Sequence, residues 1–235
     1  KTTGWQVADV RSLAFDRAQP GRVYAATLWG PIRSDDGGAT WALAQTGLTE
    51  LYSQTVVADR DRSGRVILGT AAGVYVSTDA ALTWRRVPSP STTILRLAQS
   101  EVDPRLVIAG SQHRGAWLSR DAGETWTATD PVTAQANLYA VALHRREAAI
   151  MAIGGWNAGV RVTVDGGATW QDRTAGLPVR HVLVLAFDPD VAGRLWASTF
   201  EQGTFFSDDL GLTWKSGGLD GAHGYDFTFV PAAPR

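Results

Sequence analysis

Five aspartates recur at near-even intervals: Asp36, Asp79, Asp121, Asp165 and Asp209. A carboxylate can exchange a proton, hold a cation, or accept hydrogen bonds from backbone N–H groups around it. Each of these stands two residues after a Ser or Thr and four before a Thr, with Trp41, Trp84, Trp126, Trp170 or Trp214 next in the chain. The pattern is S/T-x-D-x-G-x-T-W, broken once where Ala81 replaces the glycine. So constant a neighbourhood suits a local task. The carboxylate accepts from its own turn, the glycine takes a conformation that a Cβ opposes, and the Thr hydroxyl adds a bond. The tryptophan brings a large apolar body for packing between sheets. The alternative roles, catalytic acid or metal ligand, would need partners the pattern does not carry.

The tryptophans lie 43, 42, 44 and 44 residues apart, so the motif marks an internal repeat. It resembles the Asp-box, or BNR repeat, along essentially the whole chain. That family includes bacterial sialidases, xyloglucan-active glycosidases, sortilin-type receptor domains and photosystem II assembly-factor-like propellers. The resemblance is specific for fold and not for function. It implies a β-propeller, and a working place outside the cytoplasm, periplasmic or secreted.

The elements around each motif fit that expectation. Apolar or alternating runs punctuated by Gly, Pro and Asp predict inner strands at 10–15, 54–59, 94–99, 138–143 and 182–188. Second strands are predicted at 22–27, 65–70, 106–111, 150–155 and 194–199, and a third leads into each box. Four antiparallel strands per repeat make a propeller blade. The fold class is therefore all-β: one domain over residues 1–235, with five complete Asp-box blades. The ends read as a partial sixth blade. Tyr225–Val230 matches an inner strand, with Phe227 and Phe229 aligned to Leu185 and Phe187, and Thr3-Gly4-Trp5-Gln6 matches an outer one.

Strand order puts the boxes on one edge of each blade with the turns joining first to second strands. The opposite edge carries the loops between second and third strands and the loops entering each inner strand. Those loops differ from blade to blade, as a specific site requires. They present Trp29, Tyr52, His113, Arg114, Trp156, Asn157, Arg180, His181, Phe200 and Glu201. Trp29, Tyr52, Trp156 and Phe200 could form an aromatic platform for a peptide or a sugar, or could cover blade junctions. His181 and His223 occupy matching repeat positions, with Asp9 equivalent in the first. A metal site there can be imagined, but the repeat itself dictates the spacing, and no metal or cofactor is expected.

A sialidase, by resemblance, needs an arginine triad, a Tyr–Glu pair and an acid. Arg11, Arg96 and Arg180, with Tyr52 or Tyr139 and Glu50 or Glu201, are the candidates, and none sits in a sialidase signature. A glucan hydrolase needs two opposed carboxylates, for which Asp9, Glu50, Glu201 and Asp226 are available. No Ser–His–Asp constellation or phosphate-cradling loop stands out.

Net charge is −1, without the basic footprint of a nucleic-acid binder. There is no cysteine, which excludes disulfides and thiolate chemistry. No apolar run approaches a membrane span. The expectation is a non-catalytic binding or scaffold propeller, an accessory or assembly subunit whose partner is a protein or larger complex. A glycan-binding propeller and a glycoside hydrolase are the alternatives.

Overall fold

A computed structural model describes residues 9–230. The described residues form two compact units that divide between Gln135 and Ala136. The first holds three four-stranded antiparallel sheets. Blade 1 comprises β1 (Val10–Phe15), β2 (Val23–Thr27), β3 (Ile32–Ser34) and β4 (Ala42–Leu43). Blade 2 comprises β5 (Ser53–Ala58), β6 (Val66–Thr70), β7 (Gly73–Ser77) and β8 (Arg85–Arg86). Blade 3 comprises β9 (Ile94–Gln99), β10 (Val107–Ser111), β11 (Ala116–Ser119) and β12 (Thr127–Ala128). The second unit holds two such sheets. Blade 4 is β13 (Asn137–Leu143), β14 (Met151–Trp156), β15 (Gly159–Thr163) and β16 (Gln171–Asp172). Blade 5 is β17 (Val182–Phe187), β18 (Leu195–Thr199), β19 (Gly203–Ser207) and β20 (Lys215–Gly218). In every blade the strands pair in chain order, each with the next.

Burial explains why the second strands read as unbroken apolar runs. β2, β6 and β10 are buried at every position, because both of their faces meet protein. In β6, Val66 and Leu68 pack toward blade 1 with Tyr24, Ala26 and Trp84, whereas Ile67 packs toward blade 3 with Ile94, Leu97 and Trp126. Blades 4 and 5 repeat this arrangement around Ala152, Val162, Leu185, Phe187 and Leu195. The fourth strands β4, β8, β12 and β16 are two residues long and exposed.

The edges also fall as the repeat requires. All five boxes bond to the first turn of their own blade. Gly37, Ala80, Ala122, Gly166 and Leu210 donate backbone N–H groups to the carbonyls of Gly21, Gly64, Arg105, Ala149 and Gly193. On the opposite edge, Ala71, Gln112 and Phe200 donate to Tyr52, Thr93 and His181. That bond ties the loop after the second strand to the mouth of the inner strand. Each inner strand also carries a register shift at its pairing near this edge, between Val182 and Val184 in β17 for example, which re-aims the side chains there.

Two expectations about the ends fare differently. Tyr225–Val230 forms no strand, because no described residue pairs with it. The predicted strand at Thr3-Gly4-Trp5-Gln6 lies outside the described residues. The one helical element among the described residues is a 3-10 turn at Pro131–Thr133, and none is long and apolar enough to cross a membrane.

Candidate functional site

The box aspartates are turn locks. In blade 3, Ser119 Oγ donates to Asp121 Oδ1 at 2.7 Å, and Thr125 Oγ1 donates to Oδ2 at 2.6 Å. The Glu124 and Thr125 N–H groups close on Oδ1 at 3.0 and 2.9 Å. The Ser–Asp–Thr bonds recur at Asp36, Asp79, Asp165 and Asp209. Hydrogen bonding from Thr40 holds the Asp36 carboxyl down at about 2, and bonding led by Ser207 does the same for Asp209. Asp165 is lowered too, chiefly by Thr169. At Asp79 and Asp121 burial pushes upward, and the hydroxyl and backbone donors outweigh it. All five are held ionised at neutral pH and have no proton to give, which disqualifies them as general acids.

Two of the box tryptophans tie blades together. Trp84 Nε1 donates to Ala44 O of blade 1 at 2.7 Å, and Trp214 Nε1 to Arg173 O of blade 4 at 2.7 Å. Trp41 and Trp126 instead bond the carbonyls of Gly38 and Gly123 in their own boxes, each at 3.0 Å. Trp170 is buried.

In the second unit the loop edge carries a stack of rings. The His181 imidazole lies on the Trp156 indole, centroids 4.0 Å apart and planes at 17°. Trp156 meets Phe200 edge-on at 5.2 Å. Phe200 carries His223 at 4.5 Å, and His223 meets Tyr225 at 6.3 Å. His181 Nδ1 accepts the Asn157 N–H at 2.9 Å, which fixes the ring and leaves the proton of the neutral imidazole on Nε2. Arg180 is turned away from the stack, to Asp172 Oδ2 at 3.0 Å and Ala158 O at 3.3 Å. Glu201 stands beside the stack, exposed, at φ 59°. Next to it, Leu177, Pro178, Gln202, Phe205 and Asp220 border an open depression of about 580 Å³.

The first unit presents its loop residues more singly. Trp29 is exposed, with its carbonyl accepting from Gln45 Nε2 at 2.6 Å. Glu50 Oε1 accepts the backbone N–H of Tyr52 at 2.8 Å, while the Tyr52 hydroxyl accepts from Gln54 at 3.1 Å. The carboxylate caps a turn here instead of activating the phenol, so Glu50 and Tyr52 do not form the geometry of a Tyr–Glu nucleophile pair. His113 and Arg114 are exposed at their turn. Among the described residues no three His, Cys, Asp or Glu gather to hold a metal ion.

The ring stack was only half visible in the sequence. Trp156, His181 and Phe200 are loop-edge residues on any strand assignment. His223 suggested itself as a metal ligand and Tyr225 as the start of a strand, and both prove to be rungs. The signal that could have found them is the repeat alignment, which sets His223 where His181 stands.

A family model described as "Sortilin, neurotensin receptor 3," matches residues 31–133, from blade 1 into the loop after blade 3. Solved structures match over nearly the full chain. An ancestral GH74 enzyme superposes with a TM-score of 0.77 at 22% identity, over 91% of this chain and 32% of that one. The fold is that of an Asp-box β-propeller. The GH74 enzyme of Niastella koreensis gives 0.73 at 20% identity, over 87% of this chain and 38% of the enzyme. YCF48 bound to D1 peptide gives 0.67 at 17%, over 92% of this chain and 70% of that one. The chain thus spans well under half the length of the two GH74 enzymes. No curated protein matches the sequence significantly.

Proposed function

We propose that this propeller is a non-catalytic binding module that docks a protein partner through its loop edge, as an accessory or assembly subunit. The observation that carries the reading is the five-ring stack of the second unit. A sugar stacks on an open aromatic face, and one face of Trp156 is already occupied by His181. What the stack offers is ring edges and the outward surfaces of Trp156 and Tyr225, 43% and 70% exposed. Asn157, Glu201 and Gln202 flank them. Aromatic anchors with a polar rim suit a polypeptide. A similar fold carries a peptide in the YCF48 structure. Two of the groups an enzyme would need are otherwise employed: Glu50 caps a turn and Arg180 pairs with Asp172.

The glycoside hydrolase reading draws on the GH74 likeness, with Glu50, Glu201 and Asp226 as its carboxylates. One experiment separates the readings. The protein and its Trp156→Ala variant are run against a peptide array, a glycan array and a panel of chromogenic glycosides. The expected result is saturable peptide binding weakened at least about tenfold in the variant, the loss of a buried aromatic anchor. Saturable glycan binding, or turnover that Glu201→Gln abolishes, would overturn the proposal.

A further inference from the structure

Every blade turns from its second strand to its third over a glycine: Gly30, Gly73, Gly115, Gly159 and Gly203. The residue before that glycine presents a carbonyl at the loop edge. In four blades a side-chain N–H caps it. Gln45 Nε2 donates to Trp29 O at 2.6 Å, Arg86 Nη2 to Ala72 O at 2.7 Å, Trp117 Nε1 to Arg114 O at 2.9 Å and Arg180 Nη2 to Ala158 O at 3.3 Å. The donors come from four different places in the repeat, so the bond recurs while its source does not. In blade 5 the carbonyl is that of Gln202. The four places that supply a donor elsewhere are there Gly218, Ser216, Phe205 and Ala222, and none of these side chains has an N–H. Among the described residues no donor reaches the Gln202 carbonyl.

Blade 5 also has room at this place. Leu177, Pro178, Gln202, Phe205, Ser216 and Asp220 border the depression of about 580 Å³. Blade 2 shows how the repeat closes it. There Tyr75 and Thr49 stand at the places of Phe205 and Pro178, and their hydroxyls bond at 2.7 Å. Arg86, at the place of Ser216, lays its guanidinium between the Ala72 carbonyl and Ser91 Oγ, 3.0 Å away. In blade 4 the guanidinium of Arg180 lies between the Ala158 carbonyl and the Asp172 carboxylate. Two blades thus set an arginine of this chain against the turn carbonyl, once with a carboxylate as the second acceptor. Blade 5 keeps the carbonyl, adds the exposed carboxylate of Asp220, and has no arginine of its own at these places.

We propose that this depression receives an arginine side chain of the docked partner. The guanidinium donates to the Gln202 carbonyl and pairs with Asp220, while the aliphatic stem lies along Leu177, Pro178 and Phe205. A carboxylate beside apolar walls selects a cation on an apolar stem. The planar fork reaches two acceptors at once, which favours arginine over lysine. That the arginine belongs to a polypeptide partner rests on the docking reading above; the pocket is read from the repeat.

The probe is the blocked tripeptide acetyl-Ala-Arg-Ala-amide, titrated into isotope-labelled protein and followed by NMR. Its control carries citrulline, which keeps the shape and loses the charge. The expected result is saturable shifts at the amides of Gln202, Gly203, Ser216, Asp220 and Gly221, with citrulline at least about tenfold weaker. Asp220→Asn should weaken the arginine peptide at least about fivefold. Ser216→Arg installs the arginine that blade 2 carries and should block the shifts without lowering Tm. Three results would overturn the proposal: no saturable shift at these amides, citrulline binding as well as arginine, or binding undiminished in both variants. Any of them beside peptide binding that depends on Trp156 would sink this inference and spare the docking reading. Arginine-specific shifts beside a silent peptide array would sink the docking reading and spare the pocket.

Discussion

Asp121→Ala tests the turn-lock account most directly. The substitution strands two backbone donors, the N–H groups of Glu124 and Thr125, and two hydroxyls, those of Ser119 and Thr125. The Thr125 hydroxyl can rotate to water and the Thr125 N–H is near solvent. The Ser119 hydroxyl is buried and the Glu124 N–H part-buried, and these two bear most of the loss. Together these put the cost at roughly 1–3 kcal/mol. In a chain of this size that is a fall in Tm of about 2–10 °C by calorimetry. Asp121→Asn keeps one acceptor oxygen for the two N–H groups but sets an amide nitrogen against the Thr125 hydroxyl, so it should lose roughly half as much. The carboxyl is lowered in the fold, so its contribution is complete above the ordinary aspartate value near 3.9. That contribution is lost as pH falls through the folded value. The gap between wild type and Asn should hold from neutral pH to about pH 5 and close below it. An Ala variant that melts with the wild type, or a gap that widens in acid, would refute the reasoning.

The one box that departs from the pattern makes a sharper comparison. Ala81 sits at φ 64° with its methyl buried. Ala81→Gly relieves roughly 1–2 kcal/mol of left-handed strain. It also gives up about 0.8 kcal/mol of burial and roughly 0.5–1 kcal/mol of chain entropy. Denaturant melts should therefore show near neutrality, whereas Gly123→Ala, at φ 89° with Ile67 3.0 Å from the new Cβ, should destabilise by at least about 1 kcal/mol. Glu201→Gly should be neutral to mildly stabilising, by up to roughly 1 kcal/mol, since it removes a left-handed non-glycine residue whose side chain is exposed. The same variant should lose affinity for the peptide partner; stability and binding falling together would assign Glu201 a purely structural place.

Much of the fold was legible because the repeat supplies its own controls. The second strands β2, β6 and β10 betray themselves as apolar runs, since both faces are covered. The box predicted its edge and its bonds, because every partner of Asp121 lies within four residues of it. Tyr225–Val230 has a strand's alternation but pairs with no strand among the described residues: side-chain pattern reports which face packs, while a ladder needs a second chain segment that pattern does not supply. The ring stack was hidden for a related reason. Trp156 at the end of β14 and His181 just before β17 are 25 residues apart, and their contact depends on the Asn157 N–H seating the imidazole. No local spacing encodes that.

The two edges of a blade are stabilised by unequal means, and this bears on where function can reside. At the box edge the hairpin is closed by the carboxylate, the Ser or Thr hydroxyl and a bond to the first turn, all repeated in five blades. Any change there forfeits several bonds together. At the loop edge, blades 2, 3 and 5 share a backbone bond from loop to strand mouth, which any residue but proline can donate. Beyond the hydroxyl that ends the second strand in four blades (Thr27, Thr70, Ser111 and Thr199) and bonds a carbonyl of the loop, and the donors, different in each blade, that cap the turn carbonyl, side chains at that edge are free of the structural duty that fixes the box. Three of them, His113, Asn157 and Glu201, occupy equivalent repeat positions at φ 56°, 57° and 59°. A glycine there would relieve strain in each blade, and at His113 and Glu201 the residue is not even the asparagine that tolerates this conformation best. Side chains carried at a conformational cost, on the edge where the backbone asks for none, are where recognition by this propeller is to be sought.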